Sequence, residues 1–136
     1  MKIYVLDASA VVRYLTNGAG AAKVDALIDR AGRGEARLLI SVVNWGEALY
    51  SLGKEQGLNK ARADLAAMAA LVESVAVDEA LAEAAARIRL HYRTGYADCF
   101  AAALAMRMNA TLVTTDPDFA KLGRRLKMLA LQRESI

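Results

Sequence analysis

The 136 residues include 18 Lys and Arg against 15 Asp and Glu, and the resulting net charge of +3 permits a nucleic-acid partner without requiring one. Apolar residues make up 56% of the chain and Ala occupies 29 positions, so the composition excludes a disordered chain and predicts one helix-rich domain over residues 1–136. The single cysteine, Cys99, excludes an intramolecular disulfide and a cysteine-rich zinc site, and we expect a reducing, cytoplasmic environment.

Short apolar runs alternate with helical patterns along the chain. The runs predict strands at residues 3–6, 38–40, 75–77 and 111–114, with a weaker fifth at 127–131. Helical patterns lie between them at about 8–16, 21–32, 42–56, 60–73, 79–93, 97–108 and 117–122. None of the runs alternates with polar residues, which is typical of parallel strands covered on both faces. The sequence therefore predicts an α/β sandwich around a mostly parallel sheet of four to five strands.

Two acids follow predicted strands at the point where each strand ends. Asp7 comes directly after the first strand, and Asp116 comes after the strand at 111–114. Ligands of open parallel sheets bind outside the carboxyl ends of the strands, so both carboxylates face one crevice if the two strands are close. Either acid could instead cap the helix that follows it, and Pro117 favours that alternative for Asp116.

A third acid, Asp98, lies on a predicted helix whose only other charged residue is Arg107. Helical geometry places it on the same arc as Ala101, Ala102 and Ala105, beside the apolar face. A carboxylate there is costly unless it meets a cation or several hydrogen-bond donors. An acid in the first turn also complements the helix dipole, but we favour a functional role.

A fourth acid, Glu47, lies in the segment SVVNWGEALYSL. Helical periodicity predicts a buried face formed by Trp45, Ala48, Leu49 and Leu52, with Glu47 at its edge. A solvated acid at the boundary is the ordinary interpretation, and Glu47 becomes a site candidate only together with the other three acids.

Carboxylates that converge on one crevice repel each other, and such clusters persist mainly because they bind hard cations. Ligation by oxygen alone suits Mg²⁺ or Mn²⁺, which activate water and neutralise phosphate charge in hydrolysis. His91 is the only histidine, so a His-rich zinc site is excluded. The chain also lacks a P-loop, and the glycines of NGAGAA do not form the dinucleotide-binding pattern.

Four segments in order resemble the PIN-domain nucleases, particularly the VapC-type toxins of bacterial toxin–antitoxin pairs. They are VLDASAVVRYL, SVVNWGEALY, YADCFAAALAMRMNATLVTTD and DPDF. The resemblance implies a PIN-like three-layer α/β/α sandwich. It makes three acids metal ligands: Asp7, Asp98 and Asp116. Glu47 corresponds to the helical catalytic acid. Supporting positions are the hydroxyl residues Ser9 and Thr115, the accessory acid Asp118 and the core residue Phe119. Cys99 departs from the small or apolar residue usual at its position, and we expect it to be buried and inert.

The resemblance also implies partners that the residues alone do not show. These are an RNA substrate, a Mg²⁺ or Mn²⁺ cofactor, a cognate antitoxin that blocks the crevice, and a homodimer. The residues themselves predict no membrane span, because the longest apolar window, 97–113, carries Asp98 and Arg107. Leu65, Met68 and Val72 form an apolar stripe that is a candidate dimer surface, although a core-facing stripe has the same pattern. Two alternatives remain: a non-catalytic module that binds RNA or protein, and a nuclease acting on other nucleic acids.

Overall fold

The computed structural model describes residues 1–131, and residues 132–136 of the predicted domain lie outside this part. The strands are β1 (Lys2–Leu6), β2 (Ala36–Ser41), β3 (Val72–Val75), β4 (Thr111–Thr114) and β5 (Lys127–Ala130). The α-helices are α1 (Ala8–Leu15), α2 (Ala21–Gly32), α3 (Val42–Gln56), α4 (Leu58–Met68), α5 (Glu79–His91) and α6 (Tyr96–Arg107). A 3₁₀ helix, Pro117–Arg125, which is kinked at Gly123, connects β4 to β5.

The strands form one sheet in the order β3-β2-β1-β4-β5, and every neighbouring pair is parallel. Successive side chains of β1 face opposite layers: Tyr4 and Leu6 pack with helices α1 to α4, and Val5 packs with α5, α6 and the 3₁₀ helix. Both faces of the sheet are therefore covered, which confirms the three-layer α/β/α architecture and explains the uninterrupted apolar strands.

The sheet changes its direction of growth between β1 and β4. The chain builds β2 and β3 on one side of β1, and then crosses to add β4 and β5 on the other side. Leu6 pairs with Val113, and the Asp7 N–H donates to the Val113 carbonyl oxygen at 3.2 Å. The residues after these two strands therefore meet at the topological switch point, where open α/β sheets bind their ligands.

The segment between α4 and β3 differs from the prediction. The predicted helix at 60–73 ends at Met68, and the predicted strand at 75–77 lies instead at Val72–Val75, paired with β2. Pairing with β2 places Val72 in the core, where its exposed fraction is 7%; Leu65 and Met68 are 4% and 8% exposed. The proposed dimer stripe was therefore wrong, because these three residues form a core face.

Two other predictions of burial can be compared with the structure. In α3, Ala48 and Leu52 are buried as predicted, but Leu49 is only partly buried, and Trp45 is 37% exposed and lines a small cavity beside α4. Phe119 and Cys99 are both buried, as expected.

Within residues 1–131, no helix has the length and apolar character needed to cross a membrane.

Candidate active site

Asp7 is buried at the switch point and is the N-cap of α1. Its Oδ1 accepts hydrogen bonds from the Ala10 N–H at 2.9 Å and from the Ser9 hydroxyl at 2.6 Å. Burial raises the pKa of the Asp7 carboxyl, and the charge of Asp116 adds to this, against the lowering effect of hydrogen bonds from Ser9, Thr114 and Ala10. Capping and a place in an acidic crevice are thus compatible roles for one residue.

The end of β4 is joined to Asp7 through hydroxyl groups. The Thr115 N–H donates to Ser9 Oγ at 3.1 Å, so Ser9 bridges β4 and the Asp7 carboxylate. The Thr114 side chain is fully buried, hydrogen-bonds to Asp7 and accepts the Asp116 N–H at 3.0 Å. Thr115 was predicted to contribute a hydroxyl, but the contact that it makes to Ser9 is through its main chain. Sequence reasoning missed Thr114, although its place as the last residue of β4 gave a signal.

Asp116 also caps a helix, as the sequence alternative anticipated. Its Oδ1 accepts the Asp118 N–H at 2.9 Å, and Pro117 occupies the first position of the 3₁₀ helix. The Asp118 side chain is exposed, and its carboxylate lies 4.0 Å from Lys121 Nζ. Asp118 therefore supports the Asp116 loop through its main chain, while its carboxylate interacts with a lysine of the 3₁₀ helix.

Asp98 lies in the first turn of α6, ahead of seven consecutive buried residues, Cys99–Ala105. Burial raises the pKa of the Asp98 carboxyl to about 7, helped by the negative charges of Asp7, Glu47 and Asp116. Gly95 packs closely against it, because a Cβ atom at residue 95 would lie 3.1 Å from Asp98 Oδ2. The carboxylate is therefore held in a confined position, surrounded by the charges of the three other candidate acids.

Glu47 lies in the second turn of α3 and is partly buried. Burial raises the pKa of its carboxyl, the charge of Asp7 adds to this, and a hydrogen bond with Asn44 opposes it. The sequence placed Glu47 at the edge of the apolar face and left its aim open. The charge of Asp7 raises the pKa of Glu47, and the charge of Glu47 raises that of Asp98, so Glu47 lies within electrostatic range of both acids.

The four candidate acids thus share one electrostatic environment at the carboxyl edge of the sheet. Within the described residues 1–131, no three His, Cys, Asp or Glu side chains are close enough to hold a metal ion as they stand. The donor set nevertheless fits a hard divalent cation, because it is made of carboxylates whose raised pKa values (Asp7, Glu47 and Asp98) reflect burial and mutual repulsion. A cation would supply the positive charge that these groups lack.

The fold and the site together define a class of protein. Its members are parallel α/β/α sandwiches with a group of acids at the switch point of the sheet. The sequence pattern of the PIN domain family matches residues 4–125, and the chain belongs to this family. The resemblance noted from the four sequence segments is thereby confirmed. No curated protein matches the sequence significantly.

Solved structures of toxin–antitoxin proteins share the fold. The chain is similar to VapBC2 from Rickettsia felis bound to a promoter DNA fragment (TM-score 0.77, 19% identity, covering 96% of this chain and 99% of that chain). It is also similar to DNA-bound VapBC from Salmonella typhimurium (TM-score 0.77, 17% identity, covering 96% and 98%). A third is VapC20 from Mycobacterium tuberculosis, a sarcin–ricin loop cleaving toxin (TM-score 0.67, 17% identity, covering 88% and 95%). At these identities the likeness shows the fold.

Proposed function

We propose that this protein is a ribonuclease that depends on Mg²⁺ or Mn²⁺, and that it is the toxin of a toxin–antitoxin pair. The observation that carries the proposal is the mutual electrostatic influence of four acids, in which burial and the charges of Asp7, Glu47 and Asp116 raise the pKa of Asp98 to about 7. A fold that only needed helix caps would not bring four acids together at an electrostatic cost. A cation bound by the four acids and used in phosphodiester hydrolysis would explain why the acids lie together.

In this proposal Asp7 and Asp98 ligate the cation, and Asp116 ligates it directly or through a water molecule. When bound, the ion neutralises phosphate charge and favours ionisation of water. Ser9 and Thr114 hold the Asp7 carboxylate through their hydroxyl groups, which fixes the direction in which its free lone pairs point. The main-chain N–H of Asp118 likewise orients the Asp116 carboxylate by a hydrogen bond to its Oδ1.

Glu47 orients the attacking water or accepts its proton. Burial raises the pKa of Glu47, so this carboxylate is a stronger base than an exposed glutamate. The oxygen of water bonds to phosphorus, and the bond from phosphorus to O3′ breaks. The leaving oxygen takes up a proton, so the products are a 5′-phosphate and a 3′-hydroxyl.

RNA is the proposed substrate because the similar VapC20 is a toxin that cleaves the sarcin–ricin loop, and the net charge of +3 suits a polyanion. The similar VapBC proteins form a family of toxin–antitoxin systems, which supports an antitoxin as partner. We also propose a homodimer, whose surface lies away from the buried Leu65, Met68 and Val72.

Cleavage of a labelled single-stranded RNA by the purified protein tests the proposal. We expect cleavage with Mn²⁺, none with EDTA, and a fall of at least about 100-fold for both Asp7→Ala and Asp98→Asn, since residues that act as a unit each remove most of the activity. The control Asp25→Asn removes an exposed acid of α2, outside the crevice, and should cleave like wild type.

Two results would contradict the proposal in different ways. RNA binding without cleavage would favour the non-catalytic module. Equal cleavage of DNA of the same sequence would favour a nuclease without RNA preference.

A further inference from the structure

Two of the four buried polar side chains in residues 1–131 lie at the start of α3, the helix that carries Glu47. The four are Asp7, Ser41, Asn44 and Thr114. Asn44 has no exposed surface and lies one helical turn before Glu47 in α3. A buried amide is costly unless its donors and acceptor are paired, so its partners show what the surrounding structure requires of it.

Ser41 fixes the orientation of the Asn44 amide. Its hydroxyl donates to Asn44 Oδ1 at 2.6 Å, and the main-chain N–H of Asn44 donates to Ser41 Oγ at 3.2 Å. Because the carbonyl oxygen of the amide is used in this way, the NH₂ group faces the other direction. The reverse orientation would set the amide oxygen against the Ala97 carbonyl, and two acceptors would repel.

The NH₂ group of Asn44 has an acceptor on α6, and the same side chain interacts with Glu47 on its own helix. Nδ2 donates to the Ala97 carbonyl oxygen at 2.9 Å, in the first turn of α6 and directly before Asp98. The Asn44 side chain also hydrogen-bonds to Glu47. One buried side chain therefore connects the Glu47 carboxylate to the turn that presents Asp98, although these residues lie on different helices.

We propose that Asn44 is a positioning residue that fixes the Glu47 carboxylate relative to Asp98 through the Ala97 carbonyl. The inference rests on the proposed function and deepens it, because it names the group that aligns the water-activating acid with the cation-binding acid. Packing between α3 and α6 alone would not set the direction of a carboxylate, whereas a hydrogen bond to it does. Loss of a partner that orients a catalytic or ligating group typically costs about 10- to 100-fold in activity or metal affinity.

The test compares Asn44→Ala with Leu52→Val, a control that weakens the core on the same helix without contacting either acid. The full chain is used, at a temperature where circular dichroism shows every variant folded. For Asn44→Ala we expect kcat to fall about 10- to 100-fold with little change in KM for RNA, and Mn²⁺ binding by calorimetry to weaken about tenfold or more. Leu52→Val should lower the melting temperature but leave kcat and the Mn²⁺ dissociation constant within about twofold of wild type.

A second variant, Asn44→Leu, covers the case in which the cavity left by Asn44→Ala prevents folding. Leucine has the same branched arrangement of side-chain heavy atoms as asparagine, removes both donors and adds no charge, so the same losses are expected. If wild type cleaves RNA and both Asn44 variants match Leu52→Val, the inference is overturned and the proposed function stands. If wild type binds Mn²⁺ more tightly than the variants but cleaves no RNA, the proposed function fails and the positioning role is supported. If wild type neither binds Mn²⁺ nor cleaves, both fail.

Discussion

Ser9 Oγ lies 2.6 Å from Asp7 Oδ1, and Ser9 Oγ also accepts a hydrogen bond from the main-chain N–H of Thr115. The hydroxyl thus receives a hydrogen bond from the end of β4 and donates one to the carboxylate at the end of β1. Because the two strands are neighbours, this chain of hydrogen bonds couples the position of the Asp7 carboxylate to the geometry of the sheet. Similar coupling at the other side of the crevice runs from α6 through Asn44 to Glu47.

Ser9→Ala should therefore affect both stability and activity. It removes a hydrogen bond to a buried carboxylate and leaves the Thr115 N–H without its acceptor, at a cost of about 1–3 kcal/mol. We expect urea denaturation to show this loss, and RNA cleavage to fall roughly 10- to 100-fold. Ser9→Thr keeps the hydroxyl and should restore most of the activity. An alanine variant that cleaves like wild type would show that Asp7 needs no such support.

Asp98→Asn should stabilise the protein when no metal is present. Burial and the charges of Asp7, Glu47 and Asp116 raise the pKa of Asp98 from 3.8 to about 7, so the folded state binds this proton more tightly than the unfolded chain. The stability that this group contributes is therefore present at low pH and is lost as the pH rises from about 3.8 to about 7. Asparagine removes the repulsion between residue 98 and the other three acids. It also removes the favourable interaction of the Asp98 charge with the dipole of α6, but that interaction is smaller, about 0.3–1 kcal/mol.

Thermal melts at pH 7.5 measure this effect. In EDTA we expect Asp98→Asn to melt above wild type. Mn²⁺ at about 100 times its dissociation constant should add roughly 2.7 kcal/mol to wild type and less to the variant. If the variant melts lower in EDTA and Mn²⁺ does not affect wild type, Asp98 is an ordinary first-turn acid.

Gly95→Ala separates activity from stability. The backbone at Gly95 has φ of −58° and ψ of 144°, which alanine adopts without strain, so the smaller entropy of the unfolded chain stabilises the variant by about 0.4–1 kcal/mol. The close contact of the added Cβ with Asp98 opposes this gain, so we expect only a small net change in the free energy of unfolding. The added Cβ would lie 3.1 Å from Asp98 Oδ2 and would displace that carboxylate. We expect Mn²⁺ affinity, measured by calorimetry, to fall about tenfold. Gly46→Ala meets no atom within 4 Å and serves as the control, with unchanged Mn²⁺ binding.

Arg93 provides a test of substrate binding. It is exposed in the connection between α5 and α6 that leads to Asp98, so it lies near the proposed path of the RNA. If it contacts one phosphate, Arg93→Gln should reduce the slope of log affinity against log salt by about 0.7. Arg37→Gln is the matched control, because Arg37 lies in β2 near the opposite edge of the sheet and is paired with Glu73. Identical slopes for wild type and Arg93→Gln would exclude this contact.

The sequence predicted strands and candidate site residues well where a residue had one dominant role. The apolar runs before Asp7 and Asp116 are covered on both faces, and each acid follows its strand within two residues. Their meeting also required that β1 and β4 be neighbours, which the sequence left as a condition and the pairing of these strands fulfils. The position of β3 did not follow, because Val72 suits the end of a helix and the start of a strand equally, and only pairing with β2 distinguishes them. Thr114 and Asn44 were missed because their roles depend on hydrogen bonds between segments distant in sequence.

The contact between Ser9 and Thr115 spans 106 residues of sequence, and this separation determines when the candidate site is assembled during synthesis. The ribosome makes residue 9 early, but the crevice cannot close until β4 has emerged and inserted beside β1. Contacts between distant residues form late in folding, because the entropy of the intervening loop must be overcome first. A nascent chain that has completed β1, β2 and β3 therefore holds Asp7 and Glu47 without Asp98 or Asp116. If the proposed activity is correct, the growing polypeptide stays harmless to the RNA around it until nearly all of the sheet is assembled.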